Sequence, residues 1–300
     1  MLDTTCLIVN PAAGRGRIHA SLPALRAAFS ARGINTTYET SGPGQEEALA
    51  ERAIRAGNRT IIAVGGDGTC GQIANAILRS GVSCRLAVVA GGTGNDFAKT
   101  LGVTNHTPEQ VADLVVHGQS TQMDVGLVDG RYFINSCGFG FDASVLDASN
   151  RIRFIKGNAV YIYSALTQLF TYRGAEVSVT GVPAVKHGQM LMVTVSIGRY
   201  LGGAFKIAPH ASVLDGKLDV CFLRDANVMQ RLKLFLGAMR GTHIGLPSVS
   251  TAAVEKIALT FPCNPSMELD GELRVAKSRT VELQCIPRAL SVVAAPGAIV

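Results

Sequence analysis

Several absences in the sequence each close off a class of protein. It has no run of about 18 apolar residues, which excludes a membrane-spanning helix. Its start, Met1-Leu2-Asp3-Thr4-Thr5-Cys6, lacks both a basic region and a long apolar stretch, so a signal peptide is not expected. There is no CxxC pair. The seven cysteines (Cys6, Cys70, Cys84, Cys137, Cys221, Cys263 and Cys285) are odd in number, scattered and mostly within apolar runs. They read as reduced, buried thiols of a cytoplasmic protein. There is no tryptophan, basic runs are short, and aromatic residues do not interleave with them, so nucleic acid is not the expected partner. Proline is sparse, at 11, and no G-X-Y period exists, which excludes a collagen-like chain. Charged residues make up only 17% of the 300 residues against 47% apolar, the reverse of a disordered composition. The length suits one large domain or two ordinary ones.

Glycine, by contrast, is plentiful: 33 residues, against a usual ~7% of a chain. Charge is uneven. The net +6 divides into −2 over residues 1–150 and +8 over 151–300. A basic half can meet anionic lipid or a phosphate ligand.

Strand and helix signals alternate over the first 120 residues. Short apolar runs at Cys6–Asn10, Ile34–Glu39, Thr60–Val64 and Leu86–Ala90 read as strands. Helical spacing lies at Ser21–Arg32, Gln45–Ala56 and Ile73–Ser80, and Thr107-Pro108-Glu109 opens a helix running to about His117. This alternation predicts a doubly wound α/β domain with a parallel sheet. After Met123 short strand-like runs dominate, interrupted by helical stretches at Ala159–Tyr172 and Asn227–Arg240, which predicts an antiparallel, β-sandwich-like second domain. The expected division is 1–122 and 123–286, with about 287–300 returning to the first domain.

Three glycine clusters follow strands of the first domain, the position at which open α/β sheets bind ligands. They are Asn10-Pro11-Ala12-Ala13-Gly14-Arg15-Gly16, Gly65-Gly66-Asp67-Gly68-Thr69 and Gly91-Gly92-Thr93-Gly94-Asn95-Asp96-Phe97. The first is neither a GxGxxG fingerprint nor a Walker A loop and could be turn chemistry alone. The second has too little side-chain bulk for an ordinary turn and suits a phosphate chain wrapped by backbone amides. Thr93 and Asp96 could also be capping groups.

These three segments resemble the signature loops of the diacylglycerol kinase catalytic-domain superfamily, of the bacterial diacylglycerol/lipid kinase type. In the second half, Leu214-Asp215-Gly216-Lys217 and Leu269-Asp270-Gly271-Glu272 follow in the order of that family. The resemblance implies an ATP-dependent lipid kinase. It implies nucleotide contacts at Asn10, Pro11, Gly14, Thr40, Gly65, Gly66, Asp67, Gly68, Thr69, Gly71, Gln72, Thr93, Asn95 and Asp96. It implies a base among Asp270 and Glu272, which spacing alone would read as a hairpin turn. It also implies Mg²⁺ held by Asp215 with the carbonyls of Ser212 and Lys217. The family usually continues its second loop with an apolar residue, Asn and Glu; here Cys70, Gly71 and Gln72 stand instead.

The stretch 158–172, preceded by Arg151, Arg153 and Lys156, reads either as a core helix or as a helix at a membrane surface. Gln230–Arg240 carries the same two readings. The expected partners are a lipid substrate, the surface of an anionic membrane reached peripherally from the cytoplasm, and a second copy in a homodimer. Two other classes remain open: a nucleotide-binding regulator without catalysis, and a kinase for a soluble acceptor such as NAD.

Overall fold

A computed structural model describes residues 4–152 and 158–299. Arg153 and Lys156 lie outside the described residues. The chain divides into two compact units, 1–124 with 287–300, and 125–286.

The first unit runs β1 (Thr5–Val9), α1 (Ala13–Ser30), β2 (Thr36–Glu39), α2 (Glu46–Arg55), β3 (Thr60–Gly65), α3 (Asp67–Ser80), β4 (Arg85–Ala90), α4 (Asp96–Thr100) and α5 (Pro108–His117). All its strand pairs are parallel, in the order β4-β3-β1-β2. Successive side chains of a strand alternate in face, and both faces of this sheet are apolar. Leu7, Val9, Ile62 and Val64 pack with Ile18, Leu22, Leu25 and Phe29 of α1 and with Val111, Ala112 and Val115 of α5. The intervening Cys6, Ile8, Ile61 and Ala63 are equally buried, and α2 and α3 pack on these strands and on each other. The chain leaves β1 toward β2 on one side and toward β3 on the other, so the strand order reverses at β1/β3, where such sheets bind ligands. The helix opened by Thr107 is closed by a full capping box with Gln110.

The second unit begins within β5 (Ser120–Val128) and contains β6 (Arg131–Phe133), β7 (Ser136–Gly140), α6 (Phe141–Arg151), α7 (Asn158–Thr171), β8 (Ala175–Thr180), β9 (His187–Ser196), β10 (Leu218–Arg224), α8 (Val228–Arg240), β11 (Val249–Val254), β12 (Lys256–Thr260), β13 (Ser266–Leu269) and β14 (Glu272–Val275). Its pairs are antiparallel: β14-β13-β7-β9 in one direction, with β9 also bonded to β8 and β10. The last strand, β15 (Thr280–Val293), pairs antiparallel with β12 through Gln284 and parallel with β4 at Ser291 and Val292. Pro287 and the left-handed Arg288 (φ 51°) separate the two stretches. Cys263 is exposed, unlike the other cysteines, because it follows Pro262 in the turn after β12 rather than lying in a strand core.

Candidate functional site

The residues expected to hold a nucleotide gather at the carboxyl ends of the parallel strands. Asn10 follows β1, Thr40 follows β2, Gly65 ends β3 and Gly91 follows β4. The loops interlock backbone against backbone. A Cβ on Gly92 would lie 2.4 Å from the Cα of Gly66, and one on Gly66 would lie 3.0 Å from the Cα of Gly92. A Cβ on Gly14 would meet the Gly91 carbonyl at 2.5 Å, at a left-handed φ of 58° that itself favours glycine. The glycines at these positions therefore let the three loops approach each other backbone to backbone.

The second cluster is not a free loop. Gly66 is the extended cap residue, and Asp67, Gly68 and Thr69 already form the first turn of α3. The helical period is hidden there because glycines and small polar residues occupy the turn that the apolar pattern begins from. Helix amides at this end have no intrahelical acceptors, which makes it an anion site. Asp67 accepts the Phe97 N–H at Oδ1 (2.9 Å), joining the second loop to the third. Desolvation, and then the charge of Asp96, push its carboxyl above the ordinary range. Asp96 is buried and paired with Lys99 Nζ at 2.7 Å. Asn95 takes a left-handed backbone and binds the Gly92 N–H through Oδ1 (2.8 Å). Thr93 is exposed, Gly71 is buried and accepts the Asn75 amide at its carbonyl (2.8 Å), and Gln72 lies on the same helix.

Two contributors gave no signal in the sequence. Glu46 is buried at the start of α2, where an acid passes as a routine first-turn residue. Its Oε1 accepts from Asn10 Nδ2 (2.9 Å) and Thr69 Oγ1 (3.2 Å), tying the ends of β1 and β3 together. Arg17 donates to the Gly14 carbonyl (3.2 Å) and to that of Gly92 (3.1 Å), bridging the first and third loops.

In the second unit, Asp270-Gly271 is a two-residue hairpin turn between β13 and β14. Both residues are left-handed (φ 48° and 86°), and Leu269 pairs with Glu272 across it. The turn and the functional reading coincide, and the geometry gives the two acids different work. Asp270 is buried. Its Oδ1 accepts the amides of Asn135 (2.8 Å) and Ser136 (3.1 Å), and its Oδ2 that of Ile134 (2.8 Å). Glu272 is half-buried beside Arg274 (2.6 Å). Glu268 accepts the Gly271 amide and is a further buried acid that strand spacing did not reveal. A pocket of about 460 Å³ lined by Phe261, Ser266 and Leu273 lies on the other face of this hairpin, since Leu273 and Glu272 alternate.

The Ser212–Lys217 segment forms a tight turn with Gly216 left-handed. The Lys217 amide donates to Asp215 Oδ1 (3.0 Å) and the Leu214 amide to Ser212 Oγ (3.3 Å). Asp219 stands near enough to feel Asp215: burial first, then that charge, push its carboxyl up to about 6. The Asp215 carboxyl and the backbone carbonyls of this turn, with Asp219 at the start of β10 beside them, are a hard-oxygen donor set, which fits Mg²⁺ or Ca²⁺. Among the described residues no group of three or more His, Cys, Asp or Glu side chains forms a metal cluster, so a cation here relies on carbonyls.

Comparison with known proteins agrees with this layout. Residues 4–128 match the diacylglycerol kinase catalytic domain, and residues 135–294 match the YegS C-terminal NAD kinase beta sandwich-like domain. A diacylglycerol kinase of Bacillus subtilis is 29% identical over 89% of this chain and 88% of its own length. A probable lipid kinase YegS-like protein of Pseudomonas aeruginosa is 30% identical over 93% and 90%. The crystal structure of a diacylglycerol kinase from Bacillus anthracis superposes with a TM-score of 0.76 at 21% identity, covering 99% of this chain and 98% of that one, and so shares the fold. With a diacylglycerol kinase catalytic domain in its first half and the YegS sandwich-like domain in its second, the chain belongs to the YegS-like family of lipid kinases.

Proposed function

We propose that the enzyme transfers the γ-phosphoryl group of ATP to the free hydroxyl of diacylglycerol. The observation that carries the nucleotide half of this reading is the interlocked glycine cradle. Gly66, Gly68 and Thr69 offer backbone amides at the N-terminus of α3, and the lack of a Cβ at Gly14, Gly66 and Gly92 lets the three loops pack closely enough to form one cradle. Asn10, Pro11 and Thr40 border the cradle at the ends of β1 and β2. Arg17 and Lys99 bring positive charge to the same loops.

Phosphoryl transfer leaves the protein mostly positioning and charge neutralisation, plus a base for the acceptor. Asp270 spends its oxygens on backbone amides and so fixes the hairpin. Glu272 is the accessible acid beyond the turn and takes the hydroxyl proton. Asp215, with the carbonyls of Ser212 and Lys217, would hold Mg²⁺, with Asp219 beside it. A divalent cation bound there supplies local charge compensation to these carboxyls.

Radiolabelled ATP incubated with a total lipid extract tests the acceptor. Label is expected in phosphatidic acid with the wild type and to fall by at least about 100-fold in Glu272→Gln, in line with loss of a general base. Label in another lipid, or in NAD, overturns diacylglycerol as acceptor.

A further inference from the structure

The resemblance to lipid kinases names Asp270, Gly271 and Glu272 and stops there. Two residues further on stands Arg274, a cation to which neither the sequence pattern nor that resemblance gives a role. Glu272 and Arg274 are the first and third residues of β14, and residues two apart in a strand share a face. Strand β14 pairs with β13 and lies at the end of the sheet order, so its other edge is open among the described residues. The two side chains are 29% and 32% exposed, enough for a ligand to touch either.

Arg274 Nη2 donates to Glu272 Oε2 at 2.6 Å. Opposite Arg274 on β13 stands the buried Met267, an apolar bed for the aliphatic stem. Arg274 Nε is buried and has no hydrogen-bond partner among the described residues. It therefore takes no part in the pair with Glu272, and the two-pronged contact through Nε and Nη2 is not made. A guanidinium has five N–H donors, and buried donors in folded chains are nearly always matched. An ion pair this exposed adds little to stability, and the unmatched Nε counts against it. Stability therefore does not explain why an arginine stands beside the base.

Acceptor chemistry does. A hydroxyl that donates to the Glu272 carboxylate sits about 2.7 Å from it. The guanidinium bonded to that same carboxylate then stands beside whatever the next carbon of the acceptor carries. A carbonyl oxygen there accepts an N–H from a cation, one of the stronger hydrogen bonds available. An ether oxygen is a poorer acceptor. An ammonium group would face the guanidinium as like charge once Glu272 has taken the proton and become neutral.

We propose that Arg274 is a specificity residue that receives the ester carbonyl next to the reacting hydroxyl. It thereby selects esterified glycerolipids over ether analogues and over lipids with an amine at that position. This rests on the reading of Glu272 as the base.

The test compares three acceptors in the same detergent micelles: diacylglycerol, a dialkylglycerol of equal chain length, and a sphingoid base. Wild type is expected to show a kcat/KM for diacylglycerol about tenfold or more above that for dialkylglycerol, with the sphingoid base lowest. Arg274→Met keeps the stem on Met267 and removes the donors. Turnover of both glycerolipids falls as Glu272 loses its partner, but diacylglycerol falls by about tenfold more, so the preference disappears while KM for ATP stays unchanged. Arg274→Lys keeps a charged donor and is expected to restore part of the preference, and it carries the test should the Met variant fold poorly. A preference for diacylglycerol that persists in both variants overturns the assignment, leaving Arg274 a partner of Glu272 alone. So does a sphingoid base turned over faster by wild type than either glycerolipid. A Glu272→Gln variant with full activity refutes the base reading instead, and is told apart because it leaves the acceptor ratio of the Arg274 variants as an independent measurement.

Discussion

Replacing Asp67 with Asn is expected to weaken the enzyme and strengthen the fold. Asp67 sits in the first turn of α3, close to Asp96, and its carboxyl is pushed up first by desolvation and then by that neighbouring charge. In the unfolded chain an Asp titrates near 3.9. As pH rises above about 4, the unfolded state therefore releases this proton before the folded state does, and stability declines until the folded group has ionised as well. Each unit of the gap costs about 1.4 kcal/mol. The asparagine carries no charge to desolvate, yet its side-chain oxygen still accepts the Phe97 amide now bound at 2.9 Å. With the folded carboxyl at about 6, a gap of about two units, the variant without nucleotide is thus expected to be more stable than wild type by up to about 3 kcal/mol near pH 8. The advantage should shrink as pH falls and vanish below about pH 3, where Asp67 is protonated in both the folded and the unfolded chain. Urea unfolding at a series of pH values measures this, with similar m-values confirming that the same surface is exposed. A variant no more stable than wild type at pH 8, or more stable by a constant amount at every pH, refutes the argument. Gained stability with lost phosphoryl transfer would mark Asp67 as a strained functional group.

Three further substitutions test the site. Gly92→Ala drives a methyl to 2.4 Å from the Gly66 Cα, so calorimetry should show nucleotide binding weakened at least tenfold and melting should show a loss of about 1–3 kcal/mol. Glu46→Ala removes the acceptor of the buried Thr69 hydroxyl and one of two acceptors of the half-buried Asn10 amide and should cost about 1–3 kcal/mol, whereas Glu46→Gln keeps an oxygen and should cost less; equal losses on thermal unfolding would contradict that role. Asp270→Asn removes a carboxylate that accepts three backbone amides and should lower stability by about 2 kcal/mol or more, while Glu272→Gln, half-buried at the surface, should melt like wild type.

The parts of this molecule that local patterns could announce were those governed by periodicity. The buried strand Thr60–Gly65 and the capped helix Pro108–His117 carry their own boundaries, one in an unbroken apolar run and the other in Thr107 and Pro108. The glycine clusters were likewise visible, since glycine frequency at strand ends needs no tertiary information. Long-range geometry was not. The hairpin β13–β14 is four residues on each side of Asp270-Gly271, too short to show alternation, so the separation of a clamped Asp270 from an accessible Glu272 emerges only when Ile134, Asn135 and Ser136 are seen to donate to it from 134–136 residues away. Helix α6 was hidden because it starts directly at the end of β7 through the left-handed Gly140 (φ 85°), with no polar cap to mark it.

The departure at Gly71-Gln72 has a structural counterpart on another element. Where similar lipid kinases usually place Asn and Glu after the second loop, this helix carries a glycine and an amide. Yet the loop does not lack a carboxylate: Glu46, on α2, reaches Thr69 at 3.2 Å and Asn10 at 2.9 Å. Helices α2 and α3 pack against each other, so an acid at the first turn of one serves the first turn of the other. The buried Glu46 is hydrogen-bonded by a hydroxyl and an amide, while Arg17 donates to the carbonyls of the glycine loops and Lys99 pairs with Asp96. An acid supplied from α2 ties the ends of β1 and β3 across the point where the strand order reverses.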